Sequence, residues 1–290
     1  MRTLFSHLNR LLGWTRHSFY ILSAFVLTCG LIIYIWRPLA EEYLAYMDWS
    51  GAWWLWLDWL LIGVFLFMSL LIMAKADLRA DLKLIFVATL GGLVIESWGT
   101  QTSLWVYYTA ERPPLWIIPA WPIAALSTDR LARCCDWLLR RLWAAARLAP
   151  LAPPILRSVY GLIFAPFLAL LLAFTAPTFA KPLTGMAVIL CIFLILTPPD
   201  QRKMSIVFIA GAALGYFLEL WGTTRECWTY YTLQKPPLFA VLAHGMASVA
   251  FWRTQLVLEK LYEKRIPLLR RFSPPLARRA RDMDHHSPPF

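Results

Sequence analysis

Eight apolar stretches, each about as long as a membrane-crossing helix, dominate the chain. They cover residues 17–36, 53–73, 82–98, 114–129, 156–176, 182–198, 203–221 and 237–253. A bilayer core of ~30 Å takes about 20 helical residues to cross. The balance of 59% apolar against 16% charged residues is far from a soluble domain, which averages about 45–50% and roughly 25%. The pattern predicts an all-α polytopic membrane protein of about eight transmembrane helices.

The net charge of +11 invites a nucleic-acid reading, but its distribution argues for topology instead. Twenty-three of the 28 basic residues fall on the side of the N-terminus, including Lys75, Arg79, Lys83, Arg130, Arg133 and Arg140. Only Arg37, Arg112, Lys181, Arg225 and Lys235 fall on the other. By the positive-inside rule both termini are cytoplasmic, in a plasma (inner) membrane, and no nucleic-acid partner is expected. The basic Leu/Trp-containing stretches 129–148 and 251–272 extend helices four and eight. They suit an anionic inner-leaflet surface, or are ordinary solvated helix ends.

The N-terminal segment has a basic region and then an apolar one, without a small-residue cleavage site. It is expected to stay as the first helix. Five cysteines show neither metal nor redox spacing, so no disulfide framework or metal site is expected. No phosphate-binding Gly loop, HExxH, haem-type histidine pair or nucleophile elbow is present, and no cofactor is expected.

Residues 96–109 read ESWGTQTSLWVYYT and residues 219–232 read ELWGTTRECWTYYT. An offset of 123 residues aligns 92–115 with 215–238 without a gap, and twelve of twenty-four positions are identical. The same offset brings Arg130 onto Arg253. This is the signature of internal duplication. Four helices per half is an even number, so both halves insert in the same orientation, as parallel repeats about a pseudo-twofold along the membrane normal. The expected organisation is a basic N-terminus (1–16), a first four-helix repeat (17–147), a Pro-rich linker (148–155), a second repeat (156–272) and a disordered tail (273–290).

Thirteen residues from Lys83 to Glu96 rise about 20 Å, and sixteen from Lys203 to Glu219 about 24 Å. The repeated phrases therefore sink into the outer interface, where non-helical backbone must be buried in protein or line a cavity. Gly99 and Gly222 are expected to end the outward helices. Pro113–Pro114 and Pro236–Pro237 are expected to start the returning ones. Trp98, Trp105, Tyr107 and Tyr108, with their counterparts Trp221, Trp228, Tyr230 and Tyr231, suit an interfacial aromatic wall that a ligand could contact.

Glu96 and Glu219 are the sharper candidates. A carboxylate in an apolar layer at a helix C-terminus either keeps its proton or pairs with a cation, and Arg112 and Lys235 stand at matching positions. Each Glu either pins its own hairpin or faces a shared central cavity in an acid/base or ligand-binding role. Two differences break the equivalence. Thr102-Ser103 becomes Arg225-Glu226, and Trp121 becomes His244, either a proton shuttle or a packing residue. Asp58 is expected to pair with Lys181 or Arg225, or to reach the interface.

The E-x-x-G-x-x-T pattern at 96–102, with Tyr107-Tyr108 and IIPAWPIA at 117–124, resembles the membrane carotenoid-biosynthesis family that includes the carotenoid hydratases. The second half carries Arg225 in place of the Thr. The resemblance implies an acidic residue, Glu96 or Glu219, that protonates an isoprenoid double bond while water traps the cation. The residues themselves leave three functions open. The first is binding or acid/base modification of a lipophilic small molecule under the two outer loops. The others are transport by two parallel repeats, and a non-catalytic membrane assembly subunit.

Overall fold

In a computed structural model, residues 12–147 and 152–272 are described, with side chains to residue 261. The linker residues 148–151, most of the N-terminal basic segment and the tail expected to be disordered lie outside the described residues. The chain divides into a unit ending at Phe251 and a second from Trp252 onward. The second contributes the end of the last helix and is not placed against the first.

Nine α-helices occur among the described residues: α1 (Arg16–Ile35), α2 (Arg37–Ala45), α3 (Trp59–Met73), α4 (Leu78–Gln101), α5 (Ala120–Ala145), α6 (Pro153–Thr175), α7 (Pro182–Leu196), α8 (Gln201–Thr224) and α9 (Leu238–Phe272). The fold is mostly helical. Helices α1, α6 with the turn after it, and α8 are long and apolar enough to cross a membrane, while α3 and α7 are apolar but only 15 residues long.

Several boundaries differ from expectation for local reasons. α3 starts at Trp59 because the Asp58 side chain caps it, accepting from the Leu61 N–H at 3.1 Å, and Trp53–Trp56 forms a separate 3-10 turn. In the first half Pro114 opens only a 3-10 turn at Leu115–Ile117, and α5 begins after Pro119. In the second half α9 does begin directly after Pro237. Helix α2, amphipathic and unforeseen, fills the segment after α1.

Helices α4 and α8 are both 24 residues long, and each is opened by an aspartate cap, Asp77 and Asp200. Their final turns are alike. Thr100 and Thr223 each donate to the carbonyl of the Glu four residues earlier, both at 2.6 Å. The left-handed residues that turn the chain away are Ser103 (φ 63°) and Glu226 (φ 57°), not the glycines. Gly99 and Gly222 sit inside the helices for a different reason. A Cβ on either would stand 1.9 Å from the Cη2 of Trp105 or Trp228, so the missing side chain seats an indole ring.

Helix α5 packs between α4 and α8 and also meets α3, which leans on α1. Ser18 ties the start of α1 to the end of α3 through a buried bond to the Met73 carbonyl at 2.8 Å. On the other side, Phe164 and Phe167 of α6 pack on Phe208 of α8, and Phe174 stacks on Phe239 of α9 at 4.1 Å. Gly211 and Gly245 let α8 and α9 approach closely, since a Cβ on Gly245 would lie 2.4 Å from the Phe208 carbonyl oxygen. Asp81 of α4 and Arg130 of α5 form a buried ion pair at 2.6 Å.

The two repeated phrases meet in a two-stranded antiparallel sheet of β1 (Trp105–Tyr107) and β2 (Trp228–Tyr230). Trp105 pairs with Tyr230, Val106 with Thr229 and Tyr107 with Trp228. Exchanging every residue with the one 123 positions away maps this register onto itself. The flanking bonds obey the same exchange: Tyr108 N–H donates to the Cys227 carbonyl and Tyr231 N–H to the Leu104 carbonyl.

Candidate functional site

The site is assembled from the last turns of α4 and α8, the two strands, and the first turns of α5 and α9. Glu96 and Glu219 are each 3% exposed. Glu96 accepts from Trp105 Nε1 (3.1 Å), Tyr107 Oη (2.9 Å) and Trp121 Nε1 (3.2 Å). Glu219 accepts from Trp228 Nε1 (2.9 Å) and Tyr230 Oη (2.9 Å), and its Oε1 lies 2.9 Å from His244 Nε2. Three ring contacts therefore satisfy each carboxyl, as a buried polar group requires.

The pairing expected with Arg112 and Lys235 is not found. Lys235 bonds Glu226 at 2.6 Å on the exposed face, and Arg112 reaches the Ser103 hydroxyl at 3.5 Å. Both cations are exposed, while the carboxyl groups are buried and use ring partners.

The donors of one carboxylate pack on those of the other. Trp105 meets Tyr230 and Tyr107 meets Trp228, both at 5.8 Å between ring centroids. Below them Trp121 and His244 stack at 5.7 Å with planes 19° apart. Each of these rings is accommodated by a glycine. A Cβ on Gly92 would be 2.3 Å from Trp121, and one on Gly215 would be 2.4 Å from His244. His244 thus occupies the place of an indole and keeps its contact with the carboxylate.

A half-enclosed cavity of about 1230 Å³ lies against this array, and both carboxylates border it. Trp98, Trp105, Tyr107, Trp221, Trp228, Tyr230, Arg225 and His244 also line it. Of the other expected contact residues, Arg112 and Lys235 do not line it. Nor do Tyr108 and Tyr231, whose hydroxyls donate to the carbonyls of Ile35 and Phe174 and so tie the loops to the ends of α1 and α6.

The short helices α3 and α7 reach across. Asp58, the cap of α3, accepts from Trp221 Nε1 at 2.8 Å and from Arg225 Nε at 3.0 Å at the end of α8. At the cap of α7, Lys181 donates to the Thr102 carbonyl at 2.9 Å, and Thr184 accepts from Trp98 Nε1 at 3.2 Å. Asp58 therefore pairs with Arg225 and not with Lys181.

Trp36 and Trp116 were missed by sequence reasoning. Trp36 packs on Trp116, Trp221 and Trp228, with centroids 5.2–6.4 Å apart, and closes the first-half side of the array. Its position directly before Arg37-Pro38, at the end of an apolar run, was the available signal. Among the described residues no group of three or more His, Cys, Asp or Glu side chains converges as a metal site would. Comparison with protein families, curated proteins and solved structures finds no match to this chain.

Proposed function

We propose that this chain is an eight-span inner-membrane protein, built from two parallel four-helix repeats, that binds a lipophilic ligand in the cavity beneath β1 and β2. Both termini are cytoplasmic in this reading, following the basic-residue bias. The two repeats are related by a pseudo-twofold that passes between Val106 and Thr229, a placement supported by the exchange symmetry of the sheet register. Large apolar side chains left in the open on the crossing helices, such as Leu27 and Leu162 at 74% and 76% exposure, support lipid contact.

The observation that carries the ligand reading is the cavity itself. At about 1230 Å³ it exceeds the ~300–1,000 Å³ of ordinary small-molecule pockets. Its walls are overwhelmingly hydrocarbon and aromatic, with two carboxyl groups as the polar features at its centre.

Glu219 and His244 are the candidate acid/base pair, because an imidazole can accept and return a proton where the equivalent Trp121 only donates. Glu96, held by two indoles and a phenol, is a fixed acceptor. An isoprenoid is the ligand class that the resemblance at 96–124 adds. With such a ligand, the pair would give a proton to a double bond lying across the array, the π electrons forming the new C–H bond, and water would capture the resulting carbocation and return a proton to the pair.

The test compares the lipid and pigment profile of a deletion strain with strains carrying Glu219→Gln or His244→Trp. The proposal expects the deletion phenotype in both variants, with inserted protein at normal level. A wild-type profile in both overturns acid/base chemistry at this pair. Loss of the protein itself would mark Glu219 as a hairpin pin.

A further inference from the structure

The centre of the cavity is nearly symmetric, but its ends are not. On the first-half side the wall includes Asp58, Arg225, Glu226, Glu42 and Tyr43. The positions 123 residues away from the first three are Lys181, Thr102 and Ser103, and none of these lines the cavity. At that opposite end the wall is α7, through Leu183, Met186, Ala187, Leu190 and Leu194, with Phe167 and Leu171 of α6 behind it. Helix α7 contributes only apolar side chains to the wall, whereas the α3 side carries the charged Asp58–Arg225 pair beside apolar residues such as Leu61, Ile62 and Phe65.

Exposed lining side chains occur on both flanks. On the α1–α3 side Ile33, Tyr46 and Leu66 are 62%, 72% and 55% exposed, and on α7 Met186 and Leu190 are 67% and 50% exposed. The cavity opens sideways beside α1 and α3, and again in a cleft beside α7. From Thr184 to Leu194 this cleft runs about 15 Å, at 1.5 Å per helical residue.

The Asp58–Arg225 end carries matched chemistry. Arg225 uses Nε on Asp58 and Nη1 on the Thr224 hydroxyl at 3.4 Å, two of the five donors a guanidinium offers. Asp58 is shared between Trp221 and Arg225. On the cavity wall Arg225 stands against Asp58, Glu226 and Glu42, an excess of two negative charges, so this end disfavours an anionic head while its donors and acceptors suit a hydroxyl.

We infer that the ligand is amphipathic, with an uncharged hydroxyl-bearing head at the Asp58–Arg225 end and its apolar chain running past Glu96 and Glu219 into the cleft beside α7. This orientation rests on the reading that the cavity binds a lipophilic ligand. It puts the middle of the chain, not its head, against the two carboxylates, and it leaves the chain end in the open cleft beside α7.

Two long-chain alcohols carrying a photoactivatable diazirine test it on the purified full-length protein. One probe has the diazirine beside the hydroxyl, the other at the far end of the chain, and adducts are mapped by peptide mass spectrometry. The head-proximal probe should label 37–62 and 224–228, and the chain-end probe 183–194. An unlabelled alcohol should compete, while the alkane of equal length competes at least about tenfold less well. Arg225→Ala should weaken labelling by the head-proximal probe about tenfold. Saturable labelling with both probes spread equally over the two ends, or reversed, overturns the orientation and leaves lipid binding standing. No saturable labelling by either probe overturns the binding reading and the orientation with it.

Discussion

Trp121 and His244 stack on each other across the centre of the molecule, and each also contacts a buried carboxylate of its own, Glu96 or Glu219. The two residues are equivalent in packing and different in chemistry. His244→Ala removes one of three partners of Glu219 and should destabilise the protein by about 1–3 kcal/mol, the cost of leaving a buried polar group short of a partner. His244→Trp restores an N–H donor in space already cleared by Gly215, so stability should largely return while any proton-dependent turnover does not. Thermal unfolding of both variants in detergent checks the first statement, and the strain profile checks the second.

The glycines at the ends of α4 and α8 seat rings, so an added methyl should act through overpacking. Gly99→Ala and Gly222→Ala should each cost about 1–3 kcal/mol. Gly161→Ala on α6, where a Cβ would meet nothing within 4 Å, should cost nothing and serves as the control. Melting temperatures of the three single variants decide this. Equal stability of all three would return the two glycines to a purely conformational role.

The buried Asp81–Arg130 pair predicts a sharper asymmetry. Arg130→Met should cost about 3–5 kcal/mol because Asp81 is left buried without its counter-charge, whereas Asp81→Asn should cost less because Arg130 keeps Asp129 at 2.8 Å. Removing both charges together should recover much of that loss. A double-mutant cycle on thermal unfolding measures the coupling.

The class of fold and the recurring phrase were legible because both are written in local pattern: apolar run length, and twelve identities at one fixed offset. Glu96 and Glu219 were legible as buried carboxylates from helix rise alone. Their partners were not. A cation sixteen residues away in sequence looked the natural counter-charge, but three-dimensional closure put Trp105, Tyr107 and Trp121 within bonding distance of Glu96 instead. The antiparallel pairing of the two loops is a contact between distant segments that no local periodicity encodes, and of the partners expected for Asp58 only three-dimensional closure selects Arg225, 167 residues away, over Lys181.

Because Arg112 and Lys235 do not touch the carboxylates, Arg112→Ala and Lys235→Ala should leave both melting temperature and ligand occupancy unchanged. Arg225→Ala, which removes a partner of Asp58 at the cavity wall, should lower occupancy. Parallel occupancy measurements on the three variants separate an exposed loop charge from a group that borders the site.

The most direct measurement is native mass spectrometry of the full-length protein released from its own membranes in mild detergent. The account predicts a bound apolar or amphipathic molecule on the wild-type chain. It also predicts loss of that molecule from Ala187→Trp, which puts an indole into the cleft beside α7 while the protein stays folded. A wild-type chain that emerges with no bound molecule, or a folded Ala187→Trp variant that retains the same one, would contradict the claim that this cavity is a ligand site.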